Sequence, residues 1–403
     1  MSRLSLSSTD KLARDWFAET MISLNCKVSV DAMGNTFAVR PGRRDGPGTF
    51  AGSHLDTQPT GGRYDGILGV SAHSRESGAE DTIADENSGK VLAGVEAIRA
   101  MEEQGVETEY PSGVINWTNE EGARFPISMV SSAVWAGHIP LETGHNLQEV
   151  GGGTATMKQE LERIDYLGPM PASHEAMPIA AHFELHIGIV PTHIARIQMS
   201  TSPSTSANVL GKKQTEQGPL LEAASHKIGV VQGVQAYRWH NVTVHGRDAH
   251  TGATNFSNRA DSMLTAAKMI LHSHNLATKH GCLASTGILT LQPGSTNTVP
   301  RTVNFSLDLR TGDDERLMKF EEELKRDFEK IATGEENVEG LSSGGTKGKP
   351  CTVEWRLDVS SKATKFHDDC IRCVEQSAEA LLGGAQEAEK FTQRMISGAG
   401  HDR

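Results

Sequence analysis

Two apolar stretches in the first third of the chain each run directly into a cluster of acidic and imidazole side chains. Residues 49–53 lead into 54–56 (His-Leu-Asp) and a glycine-rich loop, and residues 113–117 lead into 119–122 (Asn-Glu-Glu-Gly). Both stretches have the length and composition of strands. Because the loops beyond strand ends converge on the ligand crevice of an α/β fold, we expect the two clusters to lie in one site.

The chain shows two kinds of secondary-structure pattern. It opens with a helical pattern over 9–25 and a hairpin pattern over 27–40, whereas alternating strands begin near Tyr237. We predict strands at 237–245, 287–292, 302–310 and 352–358, and helices at 257–274, 314–332 and 365–382. This predicts an α/β domain (1–235 and 361–403) with an inserted α+β domain (236–360) that contains a four-stranded sheet and two helices.

The composition excludes several classes of partner. The net charge is −12 and no cluster of Lys and Arg is present, which argues against binding to nucleic acid or anionic membranes. The apolar stretches are far shorter than the roughly 20 residues of a membrane helix. The N-terminus has no secretory signal pattern, so we expect a cytoplasmic protein with a small-molecule substrate.

The five cysteines are odd in number and lack a framework spacing, which predicts reduced thiols.

Imidazole and carboxylate side chains recur in an order that suits a metal centre. The candidate residues are His54, Asp56, Asp65, Glu120, Glu121 and His186. Such ligands of borderline hardness fit Zn²⁺ or Mn²⁺. A bridging carboxylate would hold two ions about 3.5–4 Å apart. Of two adjacent glutamates, one can bind metal while the other moves the proton of the attacking water. Taken singly, each of these patterns more often has a structural role than a metal-binding or catalytic one.

Several motifs in order resemble the amidase/carbamoylase branch of the M20 peptidase superfamily. The segments are 52–70 and 117–125, followed by 246–252, 297–300, 308–310 and 398–402. The family includes β-ureidopropionase, N-carbamoyl-L-amino-acid hydrolase and allantoate amidohydrolase. The resemblance runs nearly from end to end, and it implies a metal-binding catalytic domain with an inserted lid and dimerisation domain.

The resemblance also implies roles for individual residues. His54, Asp65, Glu121 and His186 match metal ligands, and Asp65 matches the bridge between the ions. Glu120 matches the catalytic base, and Asp56 matches the carboxylate that orients the first histidine. Residues that match substrate contacts are Gln217, His250, Asn297, Arg310, Gly400 and His401. The family resemblance further implies a homodimer.

The sequence departs from the family pattern in four places. Deleting 71–91 and 188–215 restores uninterrupted motifs, and our hypothesis is that both segments are translated introns; the alternative is a pair of surface loops. Relatives continue beyond the C-terminal His401-Asp-Arg to a further histidine ligand, and the start at Met1 lies inside the family pattern. We therefore expect a truncated chain with a weakened metal site.

The expected reaction is metal-dependent hydrolysis of a linear amide or ureido bond. The substrate we expect is an N-carbamoyl amino acid such as 3-ureidopropionate, which yields an amino acid, CO₂ and ammonia. The alternatives are an allantoate amidohydrolase, an M20 peptidase or aminoacylase, and an inactive dimeric homologue.

Overall fold

The computed structural model describes residues 3–59, 89–185, 221, 224–335 and 347–398. The strands in these ranges are β1 (Lys27–Val30), β2 (Thr36–Arg40), β3 (Gly48–His54), β4 (Ser112–Trp117), β5 (Ile179–Phe183), β6 (Ile228–Val234), β7 (Ala236–His245), β8 (Ala249–His250), β9 (Leu283–Ser285), β10 (Leu289–Gln292), β11 (Thr298–Val299), β12 (Thr302–Thr311), β13 (Thr352–Ser361), β14 (Thr364–Lys365) and β15 (Thr392–Ser397). The α-helices are α1 (Ser8–Ser23), α2 (Gly89–Glu103), α3 (Val130–Trp135), α4 (Leu141–His145), α5 (Met157–Arg163), α6 (Ser262–His280), α7 (Asp314–Thr333), α8 (Asp368–Leu382) and α9 (Ala385–Phe391).

The chain divides into two compact units. The first contains Met1–Val230, Asp368–Gln393 and Gly400–Arg403, and the second contains Val231–His367 and Arg394–Ala399. The sequence predicts domain boundaries between residues 235 and 236 and between residues 360 and 361. The segment Arg394–Ala399 therefore belongs to the second unit, whereas the predicted division assigned it to the first.

A five-stranded mixed sheet forms the centre of the first unit. Its order is β1-β2-β4-β3-β5, in which β2 is antiparallel to both β1 and β4. β3 runs parallel to both β4 and β5. Since β3 and β4 are parallel, their last residues, His54 and Trp117, are register partners. The polar residues that follow each strand therefore begin at the same edge of the sheet.

This sheet is buried on both faces. Ala38 and Val114 belong to one apolar cluster with Phe17 of α1, and residues of α2 complete it. Their chain neighbours Phe37 and Ile115 belong to a cluster on the other face. Successive side chains of a strand point to opposite faces of the sheet. The two residues of each neighbouring pair therefore pack into different apolar clusters, one on each face. Burial on both faces fixes the strands that lead into the polar clusters.

The second unit has a separate antiparallel sheet and two long helices. The sheet order is β10-β12-β7-β13, and β9 also pairs with β12. α6 and α7 cover one face and share its core, which includes Val242, Leu307, Met269 and Phe320. The four predicted strands and two helices are present, but β9 makes the sheet five-stranded instead of four-stranded. The α/β class is confirmed. The predicted helix over 365–382 begins at Asp368, because Thr364–Lys365 forms β14.

Three further sequence predictions concern the cysteines, membrane-spanning helices and the two proposed insertions. All five cysteines are free thiols, as predicted. No helix within the described ranges combines the length and hydropathy needed to cross a bilayer. Of the two proposed insertions, 188–215 and most of 71–91 lie outside the described residues, while 89–91 form the first turn of α2.

Candidate metal centre

His54 is the last residue of β3, and its side chain is fully buried. Its Nδ1 lies 2.7 Å from the backbone carbonyl oxygen of Asp56. A carbonyl oxygen can only accept, so Nδ1 carries the proton and donates it. The lone pair of the neutral ring is then on Nε2, which is the atom available to a metal.

Asp56 acts on the loop that follows β4. Its carboxylate accepts the backbone N–H groups of Glu120 and Glu121, each at 3.3 Å, and lies 3.6 Å from His54 Nδ1. The sequence predicted that this carboxylate orients the histidine, whereas the shorter contact comes from the backbone carbonyl. Burial, and next the charge of Asp10, raise the pKa of Asp56 to about 7, against the opposing effects of Arg14 and the two amides.

Glu120 and Glu121 are placed by a tight turn after β4. Asn119 adopts a left-handed backbone with φ of 57°, an uncommon conformation for a residue with a side chain. One oxygen of Glu120 lies 3.1 Å from His54 Nε2. Gln58 Nε2 donates to the backbone carbonyl of Glu121 at 3.0 Å and to its carboxylate at 3.2 Å. The two glutamates and the histidine therefore share one corner of the first unit, where His54 and Glu120 are buried and Glu121 is partly buried.

This corner fits a divalent metal ion. His54, Glu120 and Glu121 each offer a ligand atom, and all three atoms lie within 4.8 Å of one another. One imidazole and two carboxylates form a donor set of the hardness that Zn²⁺ and Mn²⁺ accept. The predicted ligands Asp65 and His186 lie outside the described residues, as do Gln217, Gly400 and His401.

A second polar contact joins β3 to the residue that follows β5. Ser53 Oγ, next to His54, donates to Glu184 Oε1 at 2.7 Å. Glu184 follows β5 and precedes the predicted ligand His186 by two residues in the sequence. Neither this contact nor the role of Gln58 was predicted from the sequence. Gln58 could have been found from its position in the loop that carries His54 and Asp56.

The remaining predicted residues lie in the second unit. His250 in β8 is the register partner of Thr298 in β11, which places it close to Asn297. His250 Nδ1 accepts the N–H of Gly252 at 3.2 Å, and the carbonyl of Asn297 accepts the N–H of Thr251 at 2.9 Å. The structure therefore brings His250 and Asn297 together at one corner of this unit.

Arg310 is held by an ion pair on its own strand. Its Nε and Nη2 donate to the carboxylate of Asp308, and its Nη1 donates to the carbonyl of Gly398 at 2.5 Å. The ring of Tyr237 lies 5.4 Å from the guanidinium carbon. The guanidinium thus presents the planar fork that carboxylate recognition requires, here paired with Asp308.

Known proteins with similar sequences and structures are hydrolases of carbon–nitrogen bonds. Residues 50–402 match the pattern of peptidase family M20/M25/M40. An N-carbamoyl-L-amino-acid amidohydrolase from Rhizobium meliloti is 31% identical over 100% of this chain and 79% of its own length. A ureidoglycolate hydrolase from Oryza sativa subsp. japonica is 28% identical over 78% of this chain and 57% of its own length. The crystal structure of a hydantoinase/carbamoylase family amidase from Burkholderia multivorans has a TM-score of 0.76 and 32% identity, covering 100% of this chain and 80% of that chain.

Proposed function

Because the chain belongs to peptidase family M20/M25/M40, we propose that it is a metal-dependent amidohydrolase of linear ureido or amide groups. The observation that carries this proposal is the cluster of buried His54 and Glu120 with partly buried Glu121 at adjacent ends of two parallel strands. An imidazole and two neighbouring carboxylates supply both metal ligands and a proton acceptor.

We propose that two divalent ions, Zn²⁺ or Mn²⁺, occupy the site. His54, Asp65, Glu121 and His186 would hold them, with Asp65 shared between the two. When bound, such ions polarise a substrate carbonyl and lower the pKa of water. The proton on His54 Nδ1 is held by the Asp56 carbonyl, which leaves Nε2 free of hydrogen for this role.

Glu120 is the proposed general base. One of its carboxylate oxygens lies 3.1 Å from His54 Nε2, and Asp56 holds its backbone N–H. Its carboxylate would take a proton from the attacking water and then deliver that proton to the leaving nitrogen. His250 and Asn297 are proposed to stabilise the oxyanion.

The proposed substrate is an N-carbamoyl-L-amino acid, with 3-ureidopropionate as a close relative. Hydrolysis of the carbamoyl group gives the amino acid, CO₂ and ammonia. Arg310 would bind the substrate carboxylate with the guanidinium fork that now pairs with Asp308. The similarity to a ureidoglycolate hydrolase favours a second candidate, a ureido acid of the allantoate type.

A substrate panel tests this proposal. We expect the highest kcat/KM on N-carbamoyl-L-amino acids or 3-ureidopropionate, lower values on allantoate, and little cleavage of dipeptides and N-acyl amino acids. A preference for dipeptides or N-acyl amino acids would contradict the carbamoylase assignment and support a peptidase or aminoacylase. The metal content per chain separates both from an inactive homologue, since an enzyme should bind close to two ions.

We also propose that the protein is a homodimer. β10 and β13 are the outer strands of the second unit's sheet, and every residue of β10 is exposed. An uncovered strand edge presents unpaired backbone groups that a second chain can meet. Light scattering during size-exclusion chromatography should give twice the mass of the chain, and a mass of one chain would contradict the proposal.

A further inference from the structure

Thr118 links the end of β4 to the two glutamates, and buried side chains hold all of its polar atoms. Its N–H donates to Asn35 Oδ1 at 3.1 Å and to Ser131 Oγ at 2.9 Å. Ser131 Oγ donates back to the Thr118 carbonyl at 2.5 Å, and Arg14 Nη1 donates to Thr118 Oγ1 at 3.2 Å. All four residues are fully buried. Partners from three other segments of the chain therefore converge on one threonine.

These partners are themselves fixed by further contacts. Asp31 accepts both the backbone and the side-chain N–H groups of Asn35, at 2.9 and 2.8 Å. Arg14 pairs with the buried Asp10 at 2.7 Å and donates to the carbonyl of Gly34 at 2.8 Å. Burial of an arginine is costly unless its hydrogen bonds and counter-charge are supplied. The network thus supports the loop from α1 and from residues 31–35.

The loop beyond Thr118 transmits this support to the candidate site. Asn119 turns the chain through its left-handed backbone, and its side-chain amide donates to the carbonyl of Phe125 at 3.1 Å. The turn aims the N–H groups of Glu120 and Glu121 at Asp56. A displacement at Thr118 would therefore move both carboxylates together.

We propose that Thr118 is a positioning residue for the Glu120-Glu121 pair, acting through its hydroxyl contact with Arg14. This inference rests on the proposed function for its catalytic consequence. Its structural consequence, an ordered loop at 119–121, is independent of that function. The two consequences can be measured separately.

The variant pair Thr118→Val and Thr118→Ser tests the structural part. Valine has nearly the shape of threonine but lacks the hydroxyl, and serine keeps it. Amide hydrogen exchange, followed by mass spectrometry, should be faster by about tenfold over 119–121 in Thr118→Val, because one buried hydrogen bond to a charged donor is lost. Thr118→Ser should restore most of the protection.

Thr36 provides a matched control. It lies fully buried in β2 of the same sheet, and its Oγ1 has no hydrogen-bond partner within the described ranges. Thr36→Val makes the same chemical change at the same burial and should leave exchange at 119–121 unaltered. Equal exchange in Thr118→Val and wild type, or an equal effect of Thr36→Val, would overturn the proposal.

Catalysis and metal binding test the second part. Thr118→Val should lower kcat by about tenfold or more with little change in KM, and should weaken Zn²⁺ affinity in competition with a chromophoric chelator. A wild type without turnover or bound metal would refute the proposed function, and hydrogen exchange would still decide the role of Thr118. Should Thr118→Val not fold, Arg14→Lys removes the guanidinium that donates to the Thr118 hydroxyl and must give the same local exchange.

Discussion

His54 and Asp56 are two residues apart, and the contact between them sets the chemistry of the imidazole. The sequence indicated that the Asp56 carboxylate orients the ring, but the ring proton meets the Asp56 carbonyl. The carboxylate is thereby free to hold the N–H groups of Glu120 and Glu121. The separate roles of the Asp56 carbonyl and carboxylate depend on the backbone conformation of residues 54–56, which the residue types alone do not reveal.

Glu120→Gln tests the role assigned to the catalytic base. The amide keeps the size of the side chain but cannot accept a proton from water. We expect turnover to fall by about two to four orders of magnitude with bound metal retained, measured by steady-state kinetics and atomic absorption. Glu109→Gln, at a half-exposed glutamate paired with Arg43 and Arg44, is the control and should keep the wild-type rate. A near-normal rate in Glu120→Gln would refute the assigned role.

Gly122 ends the loop that carries the two glutamates, and we predict that alanine there is poorly tolerated. Its φ is 66°, and an added Cβ would lie 2.8 Å from the backbone nitrogen of Ser128. Gly105 has a similar φ of 62° but has open space around it within the described structure. Gly105→Ala should cost about 1–2 kcal/mol from backbone strain alone, and Gly122→Ala should cost clearly more. Urea denaturation measures both, and equal losses would contradict the steric argument.

At the level of elements, long regular patterns were predictable and short pairings were not. The strands predicted at 237–245 and 302–310 match β7 and β12 to within one residue at each end, because they alternate between apolar and polar residues over a full strand length. β8, β11 and β14 have two residues each, too few to show a period. The helix predicted from 257 begins at Ser262 instead, because the Asp261 side chain caps it by accepting the N–H of Leu264.

The contact between β7 and α7 contains a buried histidine that was not anticipated. His240 is 2% exposed, and its Nε2 lies 3.3 Å from Glu321 Oε1. Glu321 also pairs with Arg238 and Lys325. Burial, and then the charges of Lys325 and Arg238, lower the pKa of His240 to about 4.

This shift predicts a pH dependence of stability. The unfolded imidazole has a pKa of about 6.5, so between pH 6.5 and pH 4 the unfolded state binds more protons than the folded state. The contribution of His240 to stability should therefore be complete above pH 6.5 and should fall as the pH drops toward 4, by up to about 3 kcal/mol. His240→Gln should lose this part of the dependence in urea titrations at several pH values. An unchanged dependence in the variant would contradict the prediction.

At the level of the whole molecule, the family and the α/β class were predictable from motifs in sequence order. The polar support around Thr118 was not, because Arg14, Asn35 and Ser131 are distant in sequence and their partners are set by loop backbones. The roles of all the predicted site residues stay predictions, including those of Asp65, His186, Gln217, Gly400 and His401. The homodimer and the cytoplasmic location also stay predictions.

The interruptions at 71–91 and 188–215 lead to a prediction about the messenger RNA. If both segments are translated introns, sequencing of the transcript should reveal a spliced message that lacks these codons. The hypothesis also predicts that deleting both segments raises the metal content and activity of the purified protein. A continuous transcript as the only form would contradict it and identify the segments as loops.

The most direct test of the proposed activity is ammonia release from N-carbamoyl-L-amino acids by the purified full chain. The measurement is made with Zn²⁺ or Mn²⁺ added, after removal of metal by a chelator, and after metal is restored. We predict turnover that chelation abolishes and either metal recovers, with Glu120→Gln inactive throughout. Turnover that survives complete removal of metal, or no release from any ureido acid by a chain that binds two ions, would contradict the proposed function.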